Sequence, residues 1–496
     1  MNRLALFCQS RVGQARSVRV ILWLLIVWIG NAGGQTSNTL STPTGPSYNR
    51  LSPSSIVPTD SRSDFNGSVP DEKPVAGVLP ISFQEAITRG LRHNLGVLIS
   101  ADNQLSARGQ RWKDLSELLP HISTQTIESV QKENLTARGL KFPGIPLVVG
   151  PYAYFDTRAY GRESLFNWKD IQQARSSAQS ERAVIFNYRD ARELVVLAVG
   201  NAYLQALAYE ARVITAEAQQ TTAKALYDKA VDQQKAGVTA AIDTLRAQVE
   251  LQARQQQLIQ ARNDSAKQML SLARVIGLAP GQEFSLTDKP PSDPLPTPDL
   301  SASLQKAYAS RADYQSALAR VRSAELAASA AAAGYFPTLN LNANYGDIGV
   351  RPNAVIPTYQ YSGTVTIPVF EGNRVHADRL QAEANLRTVR SQLADLRGKI
   401  DADIRNALLD LTSSSDLAQV ARSQVALAQQ TLTQAQDRFA AGVTDNLEVI
   451  QAQESVANAN ENYISSLYAL NIAKVTYARA VGNAEQGVEQ YLKGKP

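Results

Sequence analysis

Cysteine is nearly missing from this 496-residue chain: Cys8 is the only one. It precedes an apolar run, so a chain that has lost its leading segment can form no disulfide, thiolate metal site or cysteine nucleophile. Histidine is scarce too, and His93, His121 and His376 stand at no metal-ligand spacing. Aromatics make up only 7% of residues, and Ala and Gln are abundant. That composition points away from a globular α/β enzyme and towards a helix-rich, coiled-coil-like protein. A phosphate-cradling glycine loop and a nucleophile elbow are both lacking, and paired acids such as Asp401 and Asp403 read as solvated helix faces. No catalytic residue, cofactor or metal is expected.

A net charge of one sign is lacking as well. The formal balance is +5, but Arg3, Arg11, Arg16 and Arg19 fall in the first 34 residues with no acid among them, and removing them leaves +5 − 4 = +1. The footprint of a nucleic-acid binder is therefore missing. Residues 1–34 read as a Sec-type signal peptide: the apolar run Val20–Ile29 is followed by Gly30, Ala32, Gly33 and Gly34, with cleavage expected after Ala32 or Gly34. A retained N-terminal anchor is the alternative. No later stretch reaches 18 consecutive apolar residues, so any membrane insertion must use strands. Residues 35–79, rich in Ser, Thr, Pro, Asn and Asp, are expected to be disordered. Order should begin at Pro80, with Ser82 capping a helix and Glu85 as its capping-box partner.

Proline is missing from two long tracts, Pro151 to Pro280 and Pro368 to Pro496. Each predicts very long helices. Leu386, Val389, Leu393, Leu396 and Ile400 step by 3-4-3-4, as do Ala418, Ala421, Val425, Ala428, Leu432, Ala435 and Phe439, which is the seam of a coiled coil. The tracts repeat one another at an offset of 205: Ala236-Gly237-Val238-Thr239 recurs as Ala441-Gly442-Val443-Thr444, and Ala273-Arg274 with Gly277 recurs as Ala478-Arg479 with Gly482. The chain is thus an internal duplication. Each tract is expected to form a long helical hairpin turning at Gly237 or Gly442. The first repeat is placed at 80–299, the second at 300–483, and a C-terminal tail at 484–496.

Upstream of each hairpin lies a strand pair. In the second repeat (about 337–346 and 359–370) Leu339, Leu341, Ala343 and Tyr345 alternate with Thr338, Asn340, Asn342 and Asn344. Likewise Tyr359, Tyr361, Gly363, Val365, Ile367 and Val369 alternate with Gln360, Ser362, Thr364 and Thr366. Such strands, apolar on one face and polar on the other with aromatics at both ends, are the pattern of a transmembrane β-barrel. Gly346–Thr358 between them is expected to be a polar loop. The lipid-facing residues are then Leu339, Leu341, Tyr345, Tyr359, Tyr361, Val365, Ile367 and Val369. The first repeat offers a poorer pair, about 120–131 and 152–166, flanked by matching anchors: Leu119-Pro120 parallels Phe336-Pro337, and Leu165-Phe166 parallels Val369-Phe370. Four strands cannot close a barrel in lipid, so copies must share them. Strand pattern alone leaves the cyclic number open.

With these residues in view, the chain resembles the TolC family of outer-membrane efflux proteins over about residues 80–490. The resemblance rests on Ile81-Ser82-Phe83-Gln84-Glu85-Ala86-Ile87, the Leu-Pro and Phe-Pro strand entries, Ser164-Leu165-Phe166-Asn167, Ile367-Pro368-Val369-Phe370-Glu371-Gly372 and the two Ala-Gly-Val turns. It implies a mainly α fold with a transmembrane β part: a homotrimer with a twelve-stranded β-barrel in outer-membrane lipid and a long α-helical barrel crossing the periplasm. It also implies hairpin tips (Ala236, Gly237, Val238, Ala441, Gly442 and Val443) that meet a periplasmic adaptor linked to an inner-membrane pump. Asp243 and Glu448, equivalent at the 205 offset, would line the periplasmic aperture, although first-turn acids are also favoured by the helix dipole. Some relatives carry a second acid one turn on and a base near the second tip, where this chain has Gln451 and Thr444. The resemblance implies efflux or type I secretion through a passive duct. The competing readings are a periplasmic adaptor, which has a single hairpin beside β-rich domains, and a structural coiled-coil envelope protein, which needs no amphipathic strands.

Overall fold

A computed structural model describes residues 63–71, 73–140, 143–237, 240–444 and 446–493. The expected signal peptide, residues 35–62 and Val238 lie outside the described residues. The first repeat runs β1 (Leu79–Ile81), α1 (Phe83–His93), α2 (Leu95–Ser116), β2 (His121–Asn134), β3 (Val148–Phe166), α3 (Trp168–Lys235) and α4 (Ala241–Ile276). After β4 (Phe284–Leu286) the second follows as α5 (Leu300–Ser310), α6 (Ala312–Ala332), β5 (Thr338–Arg351), β6 (Ala354–Thr366), α7 (Arg374–Ala440), α8 (Asn446–Ala480) and α9 (Ala484–Leu492). The offset between repeats is 217 at His121 and Thr338 and 206 at Trp168 and Arg374. The difference of 11 lies in the β2–β3 connection, 13 residues long where β5–β6 has the two-residue turn Pro352-Asn353.

Helix α3, at 68 residues, extends about 100 Å. Asn167 caps it, its side chain accepting from the backbone N–H groups of Lys169 and Asp170. Every predicted seam position of α7 is buried or half-buried, with mostly exposed residues between them. Near the barrel strands the wall order is α2–α3–α6–α7; towards the tips it is α4–α3–α8–α7. Between these zones Val195, Val196, Val199, Tyr203, Leu272, Ile400, Ile404 and Val475 form the main core, joined by α1 and α9. One 18-residue window of α3 reaches a mean hydropathy of 1.3, and half of it is buried; packing against this core accounts for its apolarity.

The structure revises several sequence expectations. Residues 484–492 are a helix rather than a tail, because Val488, Tyr491 and Leu492 bury themselves against the core. The described residues ahead of Pro80 pack rather than remain disordered. Phe65 seats over Gly96, where a Cβ would come within 2.4 Å of its ring, and the Val69 N–H donates to the carbonyl of His93 at 2.8 Å. β1 lies parallel to β4 and ties the segment entering α1 to the far end of the first repeat. Ser82 does cap α1, its side chain accepting from the Glu85 N–H at 3.2 Å. The expected polar loop Gly346–Thr358 is mostly strand, since the pairing continues to Arg351 and Ala354. Pro357 lies within β6, opposite Asp347, on the strand that borders the sheet of the single chain. β6 stops at Thr366, ahead of the donor-less Pro368, so Ile367 and Val369 lie beyond the strand and are exposed.

Candidate functional site

The four long strands form one antiparallel sheet in the order β2-β3-β5-β6. Directly opposed residues of an antiparallel pair share a face. Leu339 opposes Val365, Leu341 opposes Gly363, Ala343 opposes Tyr361 and Tyr345 opposes Tyr359. Asn340, Asn342 and Asn344 oppose Thr364, Ser362 and Gln360 on the other side. The faces persist into β3 and β2: Gly161 and Ala159 continue the apolar side, while Tyr160, Arg158 and Gln125 continue the polar one. Strand β3 was hard to read in the sequence because its polar face carries Asp156 and Arg158. These pair within the strand: Arg158 Nε donates to Asp156 Oδ1 at 2.7 Å, and Tyr154 Oη donates to Oδ2 at 2.8 Å. Tyr345, Tyr359, Tyr361 and Val365 are 62–71% exposed, an apolar surface that water would not favour. At about 3.3 Å per residue and a tilt near 40°, 13 or 14 residues cover the hydrocarbon thickness of a bilayer.

The opposite end holds the two hairpin turns. Gly237 (φ 74°) and Gly442 (φ 71°) both take the left-handed conformation that lets a helix end and the chain reverse. At the second turn the Val443 N–H donates to the carbonyl of Arg438 at 3.0 Å. Ala236, Ala441 and Val443 sit at the turns, Val443 being 69% exposed. Asp243 and Glu448 each stand in the first turn of their helix, α4 and α8. Buried Asn446 ties the two hairpins together, its Nδ2 donating to the main-chain carbonyl of Asp243 at 2.8 Å. Beneath the turns Leu226, Ala435, Phe439, Val449 and Ala452 form a small second core, and the Lys229 ammonium stacks on the Phe439 ring at 5.2 Å.

One tip contact was missed in the sequence. Glu448 pairs with Arg438 at 3.0 Å, across the turn from α8 to α7. The base that some relatives carry past the glycine is Thr444 here, whereas the partner of Glu448 stands ahead of the glycine on the incoming helix. A basic residue four positions before Gly442, facing the acid of the following first turn, was the available signal. Asp243 has a weaker partner in Arg246, at 3.5 Å. Among the described residues no cluster of His, Cys, Asp and Glu could hold a metal ion.

Comparison with known proteins places this architecture. The outer membrane efflux protein family matches residues 303–483, which is the second repeat almost entire. By this match the second repeat resembles the outer membrane efflux proteins. It is 25% identical over 339 residues to the pyoverdine export outer membrane protein OpmQ of Pseudomonas aeruginosa, covering 66% of this chain and 70% of that protein. It is 22% identical over 420 residues to the probable efflux pump outer membrane protein TtgC of Pseudomonas putida, covering 81% of this chain and 83% of the relative. The Campylobacter jejuni CmeC outer membrane channel superposes with a TM-score of 0.70 at 17% identity, over 84% of this chain and 90% of that one. The structural match shows that the fold of that channel is shared along nearly the whole described length.

Proposed function

We propose that the chain is the outer-membrane exit duct of a tripartite efflux system, a passive channel for substrates delivered from the inner membrane. The observation that carries this is the sheet. Its register gathers apolar side chains on one face and polar ones on the other, and its outer edges, β2 and β6, pair with nothing among the described residues. In hydrocarbon an unpaired edge costs several kcal/mol per polar group, so β6 of one copy must meet β2 of the next. The four strands alternate in direction, which makes that junction antiparallel like the rest. Three copies give twelve strands, in keeping with the family.

The helical wall supports the same ring. Its edges bear exposed apolar stripes: Leu98, Leu105 and Trp112 on α2, Ile242, Leu245 and Val249 on α4, and Leu417, Val420 and Leu427 on α7. One edge is formed by α2 and α4 and the other by α7, so contact between copies is head-to-tail and closes into a cycle. On this reading the helices extend into the periplasm. The turns around Gly237 and Gly442 dock a periplasmic adaptor, and Asp243 and Glu448 line the aperture there. The names of OpmQ and TtgC favour export and efflux over a structural role.

The test is assembly and conductance. Purified full-length protein is expected to run as a heat-labile trimer in detergent and to open ion-conducting channels in planar bilayers. A monomer that leaves the bilayer electrically silent refutes the proposal.

A further inference from the structure

We infer that Arg162 forms a cationic ring inside the strand barrel and biases the duct towards anionic solutes. The inference rests on the channel reading above. Arg162 lies on β3, four residues before the strand gives way to α3. Its register partners are His121 on β2 and Asn342 on β5, which places it on the polar face with Asn340, Asn344 and Tyr160. It is exposed, unlike the half-buried Arg158 on the same face.

What sets Arg162 apart is the lack of a counter-charge among the described residues. Arg158 is neutralised by Asp156 two residues away, and that carboxylate is fully engaged by Arg158 and Tyr154. The polar-face residues around Arg162 are His121, Ser123, Tyr160, Ser164, Asn340, Asn342 and Asn344, none of them acidic. Glu163 points to the opposite face, where it opposes Leu341. A neighbouring copy cannot supply the missing acid either. The strand it would bring against β2 is β6, Ala354–Thr366, which contains no charged residue.

Barrel geometry puts the charge where solute passes. Twelve strands about 4.8 Å apart and tilted by about 40° enclose a backbone radius of about 12 Å. An extended arginine side chain reaches roughly half that distance inward, leaving each guanidinium about 6 Å from the axis. That is within the Debye length of about 8 Å at physiological ionic strength. Three such charges act together on a solute at the axis, where counter-ions do not fully screen them. They raise the local concentration of anions and lower that of cations, and the expected contribution to the chloride-over-potassium permeability ratio is about fivefold. Solutes bearing carboxylate, sulfonate or phosphate groups are the class favoured. The planar donors of arginine suit such groups better than a lysine ammonium would, so lysine should keep the charge bias but hold a polyanion less well.

The experiment measures the reversal potential of full-length channels in planar bilayers under a potassium chloride gradient, with block by inorganic tripolyphosphate as a second readout. Arg162→Gln should lower the permeability ratio by about threefold to fivefold, and Arg162→Glu should lower it further. Arg162→Lys should keep the ratio while weakening tripolyphosphate block. Arg162→Glu channels that conduct with the wild-type ratio and the wild-type block overturn the ring. A wild-type protein that forms no channel at all overturns the duct reading, and the ring falls with it.

Discussion

Lys474 provides a quantitative test of the packing that holds the two repeats together. It lies in α8 and is fully buried, its Nζ donating to the main-chain carbonyl of Asp293 and to that of Leu492, the last residue of α9, at 3.2 Å. The amine thus ties a helix C-terminus and the strap before α5 to the core, and no carboxylate hydrogen-bonds to it. Burial pushes its pKa down from the ordinary 10.5 to about 8. Between those two values the unfolded chain holds the proton and the folded chain does not, so this group makes stability rise as pH increases. From pH 7 to pH 10 its contribution amounts to about 2.5 kcal/mol, at 1.36 kcal/mol per pKa unit. Lys474→Met keeps the straight aliphatic stem and removes the titration. The stability difference between wild type and variant should therefore move in favour of the wild type by about 2.5 kcal/mol over that range. With an unfolding entropy near 2.1 cal/mol/K per residue, this corresponds to roughly 3 °C in Tm for a chain of this size. Thermal unfolding of both proteins in detergent at pH 7, 8, 9 and 10 checks it. Parallel Tm profiles across that range would refute the reasoning.

Further substitutions probe the helix turns and the hairpin tips. Gly482 has φ 71°, and a Cβ there would lie 2.7 Å from the Cα of Arg311, so strain and a backbone clash coincide. Gly482→Ala is expected to cost about 2 kcal/mol or more, read as a lower Tm, whereas Gly237→Ala, with nothing within 4 Å of its Cβ, should cost only the conformational strain of about 1–2 kcal/mol. At the tips, Glu448→Ala and Arg438→Ala both break the ion pair between α7 and α8 and should alter single-channel conductance. Only loss of the acid, at Glu448 or Asp243, should also raise the chloride-over-potassium permeability ratio. Identical selectivity in all three variants would assign these acids to the helix dipole alone.

Much of this architecture is written in the chain, and the limits of its legibility have physical causes. The long helices could be read because proline is missing from their interiors and their seams keep a strict 3-4 spacing, as at Leu393, Ile400, Ala435 and Phe439. The second strand pair was legible because its faces alternate without interruption from Thr338 to Tyr345. Its turn was not, because Gly346, Gly349, Pro352 and Pro357 imitate a loop; two of the glycines instead allow close backbone approach. A Cβ on Gly346 would meet the Thr157 carbonyl oxygen at 2.1 Å, and one on Gly349 would meet the Ala354 carbonyl oxygen at 1.9 Å. Strand β3 was obscured because Asp156 and Arg158 satisfy one another, a compensation visible only once side-chain geometry is known. Helix α9 is nine residues long, with Gly487 inside it, and its order comes from contacts distant in sequence. Such contacts include Glu193, which accepts from the Ala484 N–H at 2.6 Å. The pair Glu448–Arg438 escaped notice for a related reason, since its members are joined by a turn and not by helical spacing.

The measurement that bears most directly on the account is a spin-label accessibility scan of the second strand pair in lipid bilayers. Labels at Leu341, Tyr345, Tyr361 and Val365 should relax strongly with oxygen, which partitions into hydrocarbon, and weakly with a water-soluble nickel complex. Labels at Asn342, Asn344, Ser362 and Thr364 should do the reverse. A uniform aqueous response from both sets would contradict a membrane-embedded sheet and with it the exit duct.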